Sequence, residues 1–204
     1  METTTVDPSE PFYWDAYRDT TVGRYLFQRE YAFIRRCLGQ DSRTHSLLDL
    51  GCGSGRLTMP LRDAGYTIVG MDLSPVALAA LRTQTREVRL VRGDTRHLPF
   101  AAGSFDGVVG IQTLDYVELD AFMRECGRTL ALRSADLDYR EVLRAARDHD
   151  FEVRAVSGYT WLPFTRHSDS TLVRAAALVA SALRLDRSYE ISPKILVAAR
   201  RGRS

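Results

Sequence analysis

The hydrophobic positions of the chain follow two spacings, one helical and one typical of buried strands. Aromatic and aliphatic residues within 11–38 recur three and four positions apart, which predicts one or two helices that end at Gly39. Short apolar runs followed by turn residues predict buried strands at 46–50, 67–71, 88–91 and 105–111. Helical stretches separate these runs, and the links between them are short. This alternation predicts a protein of the α/β class in which right-handed crossovers join parallel strands.

The second half of the chain continues the alternation with one irregularity. A helical stretch at 119–130 is followed, in order, by a helix, a strand, a helix and a strand at 138–149, 151–157, 170–185 and 195–199. A doubly wound sheet needs a fifth strand after the helical stretch 119–130. Residues 131–134, however, pass almost directly into the helix predicted at 138–149. Either residues 128–133 form a short strand, or the chain skips residues within about 130–136. The helix-like end at 126–130 favours skipped residues.

Composition narrows the picture mainly by exclusion. At 204 residues, 45% hydrophobic and 26% charged, the chain fits one globular domain with a buried core. Its longest apolar run, 175–183, is shorter than the ~18 residues of a membrane span, and its polar, acidic start lacks the order of a signal peptide. We therefore expect a cytoplasmic protein with no membrane partner. The net charge of +2 leads us to expect no nucleic-acid partner, and the cysteines and histidines lack metal-ligand spacing, so no metal is expected.

The strongest chemical signal is a glycine-rich segment directly after the first predicted strand, Leu48-Asp49-Leu50-Gly51-Cys52-Gly53-Ser54-Gly55. Glycine permits close approach of a ligand to the backbone and a turn that would strain other residues. In open α/β sheets, ligands bind at the carboxyl ends of the strands, where this segment lies. Dinucleotide-binding loops have the spacing G-x-G-x-x-G, which Arg56 breaks here. A nicotinamide-dependent oxidoreductase therefore remains only as a less favoured alternative.

This segment resembles motif I of the class I S-adenosylmethionine-dependent methyltransferases, in the type 11-like group that acts on small molecules. The resemblance extends from Leu47 to about Leu130, with further motifs in family order. It implies that S-adenosylmethionine is the cofactor and S-adenosylhomocysteine the product. The cofactor residues implied within motif I are Asp49, Gly51, Cys52 and Gly53.

Three later motifs imply further cofactor contacts. By the resemblance, Asp72 at the end of the second strand accepts hydrogen bonds from the ribose hydroxyls, and Leu73 packs on the adenine face. Segment 93–100 resembles the adenine-contacting turn, with Asp94 accepting from the amino group and the Thr95 backbone on the ring. Segment 104–109 matches the fourth-strand motif, whose following backbone, at Ile111 and Gln112, would lie beside the methionine part. Taken alone, Asp72 also suits a helix cap and Asp94 a turn.

The resemblance completes the expected fold class. It is α/β, with a Rossmann-like, doubly wound and mostly parallel sheet, an N-terminal helical lid and a helical insert before the last strand. We expect a single domain, in which residues 1–40 form the lid, 41–132 the cofactor-binding core and 133–204 the second half. The second half would contain a lid segment at 159–190.

The sequence after the fourth strand bears on the methyl acceptor. DNA and protein amide N-methylases of this fold carry an [N/D]-P-P-[Y/F] signature there, whereas this chain has Gln112-Thr113-Leu114-Asp115-Tyr116. The segment resembles small-molecule methyltransferases of secondary metabolism, so we expect transfer to an oxygen or nitrogen atom of a small molecule. Tyr116, just past the fourth strand, and His167, whose side chain has a pKa suited to proton removal near neutrality, are the candidate general bases. For His167, an ordinary surface position is the alternative.

Aromatic residues flank the core in sequence and predict a cover over the site. Phe12, Tyr13 and Trp14 precede Tyr17, which in similar enzymes reaches the methionine carboxylate, and Trp161 lies in a second aromatic segment, 159–167. These side chains also suit core packing or the contact of a homodimer. A non-catalytic S-adenosylmethionine-binding or scaffold protein stays open as the alternative function, because the fifth strand was not found.

Overall fold

A computed structural model of the chain describes residues 18–38, 46–111, 113, 119–129, 133–135, 144, 148–149, 151–159, 170, 172–182 and 194–201. Within these ranges the elements are, in chain order, α1 (Thr21–Leu38), β1 (Ser46–Leu50), α2 (Thr58–Asp63), β2 (Thr67–Asp72), α3 (Pro75–Gln84), β3 (Arg89–Arg92), β4 (Gly107–Val109), α4 (Leu119–Thr129), β5 (Arg133–Ala135), β6 (Phe151–Tyr159), α5 (Leu172–Ala182) and β7 (Lys194–Arg201).

The first four strands form a parallel sheet in the order β3-β2-β1-β4. The remaining strands are ordered β5-β7-β6, with β7 antiparallel to both neighbours, and β5 lies against β4. The strand order reverses between β1 and β4, which marks the topological switch point where open sheets of this class bind ligands. The expected Rossmann-like, mostly parallel sheet is therefore confirmed.

The fifth strand, which the sequence did not reveal, is present. Residues 133–135 form β5, which pairs with Ala199, Ala198 and Val197 of β7. The premise that the sheet lacks a strand here is therefore wrong, and skipped residues are not needed to supply it. The alternative strand at 128–133 is also misplaced, because α4 extends to Thr129. Residues 133–135 are too few, and alternate too weakly, for their hydrophobic pattern to predict a strand. The strand is defined by its pairing with β7.

The core lies on both faces of the parallel sheet. Along β1, Leu48 and Leu50 point to the face covered by Phe122 and Cys126 of α4. Leu47 points to the opposite face, against side chains of α1 and α2. All three leucines are fully buried, and each such side chain contributes about 1.5–3 kcal/mol to folding. A continuous apolar run is what a strand buried on both faces requires.

Helix α1 packs along the sheet and against α5. Val22, Leu26 and Phe33 form a buried cluster with Val173 of α5. The ring of Tyr31 stacks on Phe27, and its hydroxyl donates to the carbonyl of Pro60 at 3.3 Å. The tyrosines of this helix that the structure describes therefore serve packing. None of the helices among the described residues is long and apolar enough to cross a membrane.

Helix boundaries follow their sequence signals closely. Ser74 is the N-cap of α3, with its hydroxyl accepting from the backbone N–H of Ala77 at 3.2 Å, and Pro75 occupies the first turn. Helix α2 is followed by Gly65 at φ 94°, whose N–H donates to the Arg62 carbonyl. Strand β4 is shorter than expected, at Gly107–Val109. Most of the helix expected at 138–149 lies outside the described residues.

Candidate functional site

The glycine-rich turn follows β1 and lies against the carboxyl end of β2. Gly51, Gly53 and Gly55 adopt φ values of 70°, 53° and 97°, in the region that favours glycine. The backbone N–H groups of Gly51 and Cys52 both donate to the carbonyl of Met71, at 2.8 and 3.1 Å. The turn is thus fixed to the end of β2, as the expected cofactor loop requires.

Two of these glycines also provide space. A Cβ at Gly51 would lie 2.4 Å from Oγ1 of Thr113, which donates to the carbonyl of Leu50 at 2.7 Å. Thr113 follows β4, so this bond spans the switch point between β1 and β4. A Cβ at Gly55 would lie 2.4 Å from Cδ1 of Leu81, on α3. Glycine therefore lets the turn lie directly against neighbouring elements on two sides.

Asp72 ends β2 with its carboxylate directed at the same turn. It is 8% exposed. One oxygen, Oδ2, accepts from the N–H of Gly53, and the other, Oδ1, accepts from the N–H of Ser74, each at 2.8 Å. A carboxylate oxygen can accept two hydrogen bonds, so each oxygen retains an acceptor position for a ligand hydroxyl. The structure thus shows a backbone-orienting role, and the ribose contact stays a prediction.

An apolar side chain lies exposed beside this carboxylate. Leu73 is 55% exposed, and Val76 on the first turn of α3 is 44% exposed. Exposed leucines are common singly, but this one lies at the carboxyl edge of the sheet, next to an oriented acid. That position suits the predicted contact with a flat ring.

Segment 93–98 forms a tight turn across the same edge. The carboxylate of Asp94 accepts from the backbone N–H of Arg96 at 2.9 Å and from its side chain. Those side-chain hydrogen bonds hold the pKa of Asp94 below its ordinary value. Thr95 is buried within the turn. Asp94 is therefore a turn-forming residue in this structure, and its contact with adenine stays a prediction.

Helix α4 fixes the far end of that turn. The carboxylate of Glu125 accepts from the N–H of Leu98 at 2.9 Å, and the guanidinium of Arg128 donates to the carbonyls of Leu98 and Phe100. Glu125 and Arg128 also pair with each other at 2.7 Å. These bonds hold the turn in place from α4, the helix that also covers one face of β1.

Asp49 is the second buried acid of the site. It is 2% exposed and accepts from the hydroxyl of Thr58 at 2.6 Å. Burial raises the pKa of Asp49 to about 7, against the hydrogen bond from Thr58 and the positive charge of Arg56, which lower it. A nearby ion pair joins Arg56 to Glu30 of α1 at 2.6 Å.

Cys52 and Ile111 serve packing through their side chains. Cys52 is buried against Leu78 and Leu81, and burial raises the pKa of its thiol far above the ordinary value, which leaves no reactive thiolate. Ile111 packs between side chains of α1 and of the sheet. Their predicted contacts with a cofactor stay predictions.

Several predicted residues lie outside the described part of the chain. These are Tyr17, Gln112, Tyr116 and His167, together with residues 12–14 and 160–167 of the expected cover. Within the ranges that the structure does describe, no group of three or more histidine, cysteine, aspartate and glutamate side chains is placed to hold a metal ion.

Sequence reasoning missed the ion pair of Glu30 and Arg56. The available signal was a charged residue on an apolar helix face, because Glu30 shares a face with Leu26 and Phe33 at helical spacing. A charge on such a face needs a partner when the face is buried. Thr58 and Thr113 gave no comparable signal.

Comparisons with known proteins agree with this geometry. Residues 48–133 match a family described as "Methyltransferase domain". The chain is 41% identical to the 18S rRNA (guanine-N(7))-methyltransferase bud23 of Schizosaccharomyces pombe, over 50% of this chain and 41% of that protein. It is 32% identical to Methyltransferase GfsG of Streptomyces halstedii, over 67% of this chain and 54% of that protein. The chain therefore spans about half the length of these relatives.

A solved structure shows the same fold. Geranyl diphosphate C-methyltransferase from Streptomyces coelicolor, in complex with Mg²⁺, geranyl diphosphate and S-adenosyl-L-homocysteine, superposes with a TM-score of 0.63 at 21% identity. The match covers 96% of this chain and 87% of that one. The motif order, the switch-point turn and the family match agree: residues 48–133 form a methyltransferase domain, similar to those of the class I S-adenosylmethionine-dependent methyltransferases.

Proposed function

We propose that the chain binds S-adenosylmethionine at the turn formed by residues 51–55 and transfers its methyl group to a nucleophilic acceptor, releasing S-adenosylhomocysteine. The observation that carries this proposal is Asp72, a carboxylate fixed by two backbone N–H groups at the end of β2, with the exposed Leu73 beside it. In this arrangement Asp72 binds the ribose hydroxyls, Leu73 covers one face of adenine, and Asp49 supplies negative charge for the ammonium group of the methionine moiety.

The cofactor supplies a methyl group already activated on a positively charged sulfur. The protein therefore has to align the acceptor and, for a protonated nucleophile, to accept its proton. The predicted general bases, Tyr116 and His167, stay predictions. Among the described residues, the proposal assigns cofactor binding to Asp49, Asp72 and Leu73. These side chains bind and orient the cofactor and take no part in the methyl transfer itself.

The expectation of a small-molecule acceptor, with nucleic acid excluded, is wrong. The small-molecule acceptor was inferred from the segment after the fourth strand, and the exclusion of nucleic acid from the low net charge. A relative at 41% identity is nevertheless named as an 18S rRNA (guanine-N(7))-methyltransferase. Net charge averages over the whole chain and says little about an acceptor that touches one edge of the sheet. Our proposal therefore specifies only the chemistry, which is methyl transfer to an oxygen or nitrogen nucleophile. Nucleic-acid and small-molecule acceptors are compared in its test.

The test is methyl transfer to a panel of acceptors of different chemistry. The protein is incubated with methyl-labelled S-adenosylmethionine and, separately, an rRNA fragment, a hydroxylated quinone precursor and a glycoside. We expect S-adenosylhomocysteine to form with label in an acceptor. Both signals should fall strongly in Asp72→Ala when the cofactor is subsaturating. Tight cofactor binding without transfer to any acceptor would favour the non-catalytic alternative, and absence of cofactor binding would contradict the proposal.

The role of Leu73 gives a separate prediction. Leu73→Ser should weaken S-adenosylhomocysteine binding by about three- to tenfold, because roughly 1 kcal/mol of apolar burial on the adenine face is lost. The melting temperature should stay unchanged, since the side chain is already exposed. Leu178→Ser is the matched control, because Leu178 is an exposed leucine on α5, away from the turn. Equal affinities for the two variants would remove Leu73 from the site.

A further inference from the structure

A chain of charged side chains connects α1 with the cofactor turn. Glu30 lies in the middle of α1 and is 0% exposed, although glutamate is rarely buried without a partner. Its Oε2 lies 2.6 Å from Nη1 of Arg56, whose side chain is 18% exposed. Arg56 directly follows Gly55, the last glycine of the turn. The pair therefore fixes a cation at the edge of the cofactor turn from an element outside it.

Asp49 lies on the face of β1 that packs against α1, the helix that carries Glu30. Asp49 shares a face with Leu47, which packs against side chains of α1 and α2. These are the two elements that carry Glu30 and Thr58, the residue whose hydroxyl donates to Asp49. Besides the Thr58 hydroxyl, two charged groups change the pKa of Asp49: the positive charge of Arg56 and the negative charge of Asp72. Both acids in turn raise the pKa of the buried Cys52 thiol.

These charges have opposite effects on the Asp49 carboxyl. Burial and, to a smaller extent, the negative charge of Asp72 raise the pKa of Asp49, whereas the Thr58 hydrogen bond and the positive charge of Arg56 lower it. The balance is a pKa of about 7. A neutral carboxyl would bind an ammonium group poorly, because charge-assisted hydrogen bonds are about twice as strong as neutral ones. A cation beside Asp49 is therefore useful for cofactor binding as well as for packing.

Resting on the proposed function, we infer that Arg56, held in place by Glu30, is a positioning residue that keeps the Asp49 carboxylate charged for the ammonium group of the cofactor. A purely structural pair would attach α1 to the turn and leave the pH dependence of cofactor binding untouched. The two roles thus differ in a measurable way.

The charged form of the Asp49 carboxyl is the one that binds the ammonium group of the cofactor. This fixes the direction in which cofactor affinity changes with pH. In the wild type, cofactor affinity should rise as pH rises through about 7, the pKa of Asp49. Loss of the Arg56 charge raises the pKa of Asp49 further, so the same rise in affinity should occur at higher pH. A neighbouring arginine commonly lowers a carboxyl pKa by about one unit or more. We therefore expect Arg56→Gln to move the midpoint upward by about one pH unit.

The experiment is calorimetric titration of the protein with S-adenosylhomocysteine from about pH 5.5 to pH 8.5. This range brackets the pKa expected of a carboxyl group raised by burial. At neutral pH, Arg56→Gln should bind up to about tenfold more weakly than the wild type and recover towards the upper end. Arg56→Lys should restore much of the wild-type profile, because it retains the charge. Arg62→Gln is the matched control, because the acids that Arg62 pairs with among the described residues are both exposed, Asp63 on α2 and Glu87 just before β3. Its profile should be unchanged.

A second variant separates binding from folding. Because Arg56→Gln leaves Glu30 buried beside an amide, it lowers stability; the double variant Glu30→Gln/Arg56→Gln replaces the ion pair by two neutral amides. It should show the same displaced midpoint. Wild-type midpoints in both variants, with changes in melting temperature alone, would overturn the inference and leave the proposed function intact. Absence of binding by the wild type at every pH would overturn the proposed function and this inference with it.

Discussion

Replacing Asp72 by alanine is expected to weaken S-adenosylmethionine binding by roughly 10- to 100-fold. The substitution removes a charged acceptor for the ribose hydroxyls, and hydrogen bonds to charged groups contribute about 1.5–3 kcal/mol. The same side chain accepts from the N–H groups of Gly53 and Ser74, so the turn itself should also lose order. We therefore expect a lower melting temperature together with the weaker binding, measured by calorimetry and by thermal unfolding.

Asp106 provides a matched control for this variant. Its Oδ2 also accepts twice, from the backbone N–H of Ser46 at 2.8 Å and from the Ser46 hydroxyl at 2.9 Å, but at the amino end of β1. Asp106→Ala should therefore lower stability while leaving cofactor affinity unchanged. Equal affinities for the Asp72 and Asp106 variants would remove Asp72 from the cofactor site.

Alanine at Gly55 is expected to lower the free energy of unfolding by about 2–5 kcal/mol. A positive φ costs a residue with a Cβ roughly 1–2 kcal/mol, and overpacking adds about 1–3 kcal/mol. Gly55 has φ 97°, and a Cβ there would lie 2.4 Å from Leu81 Cδ1. Denaturant unfolding of the variant measures the loss.

Gly103 separates the two terms of that cost. It has φ 70°, yet a Cβ there would meet nothing within 4 Å. Gly103→Ala should therefore lose only the backbone term, about 1–2 kcal/mol. A loss at Gly55 no larger than that at Gly103 would show that α3 yields easily, and that close packing of the turn against α3 is not what requires glycine.

The local elements were predictable because each has its cause in a few neighbouring residues. The run Ser46–Leu50 has leucines on both faces and is buried on both. Ser74 with Pro75 starts α3 by standard capping. The turn at 51–55 was found because glycine at alternate positions has few structural explanations. Asp72 was located by its position after a strand, although its bonds to the turn were not foreseen.

Features that depend on distant contacts were not predictable. Strand β5 is three residues long and is defined by its pairing with β7, far along the chain. The link between Glu30 and Arg56 joins residues 26 positions apart, and the burial that makes it costly to break exists only after α1 docks on the sheet. The exclusion of nucleic acid failed for a related reason, since an overall charge does not describe one surface.

The most direct test of the central claim is calorimetric titration of the wild-type protein with S-adenosylhomocysteine and, in parallel, with NAD. The glycine spacing and the fixed carboxylate at the end of β2 predict saturable one-to-one binding of S-adenosylhomocysteine, and no binding of NAD, because the turn lacks the G-x-G-x-x-G spacing. Binding of NAD with no heat from S-adenosylhomocysteine would contradict the account.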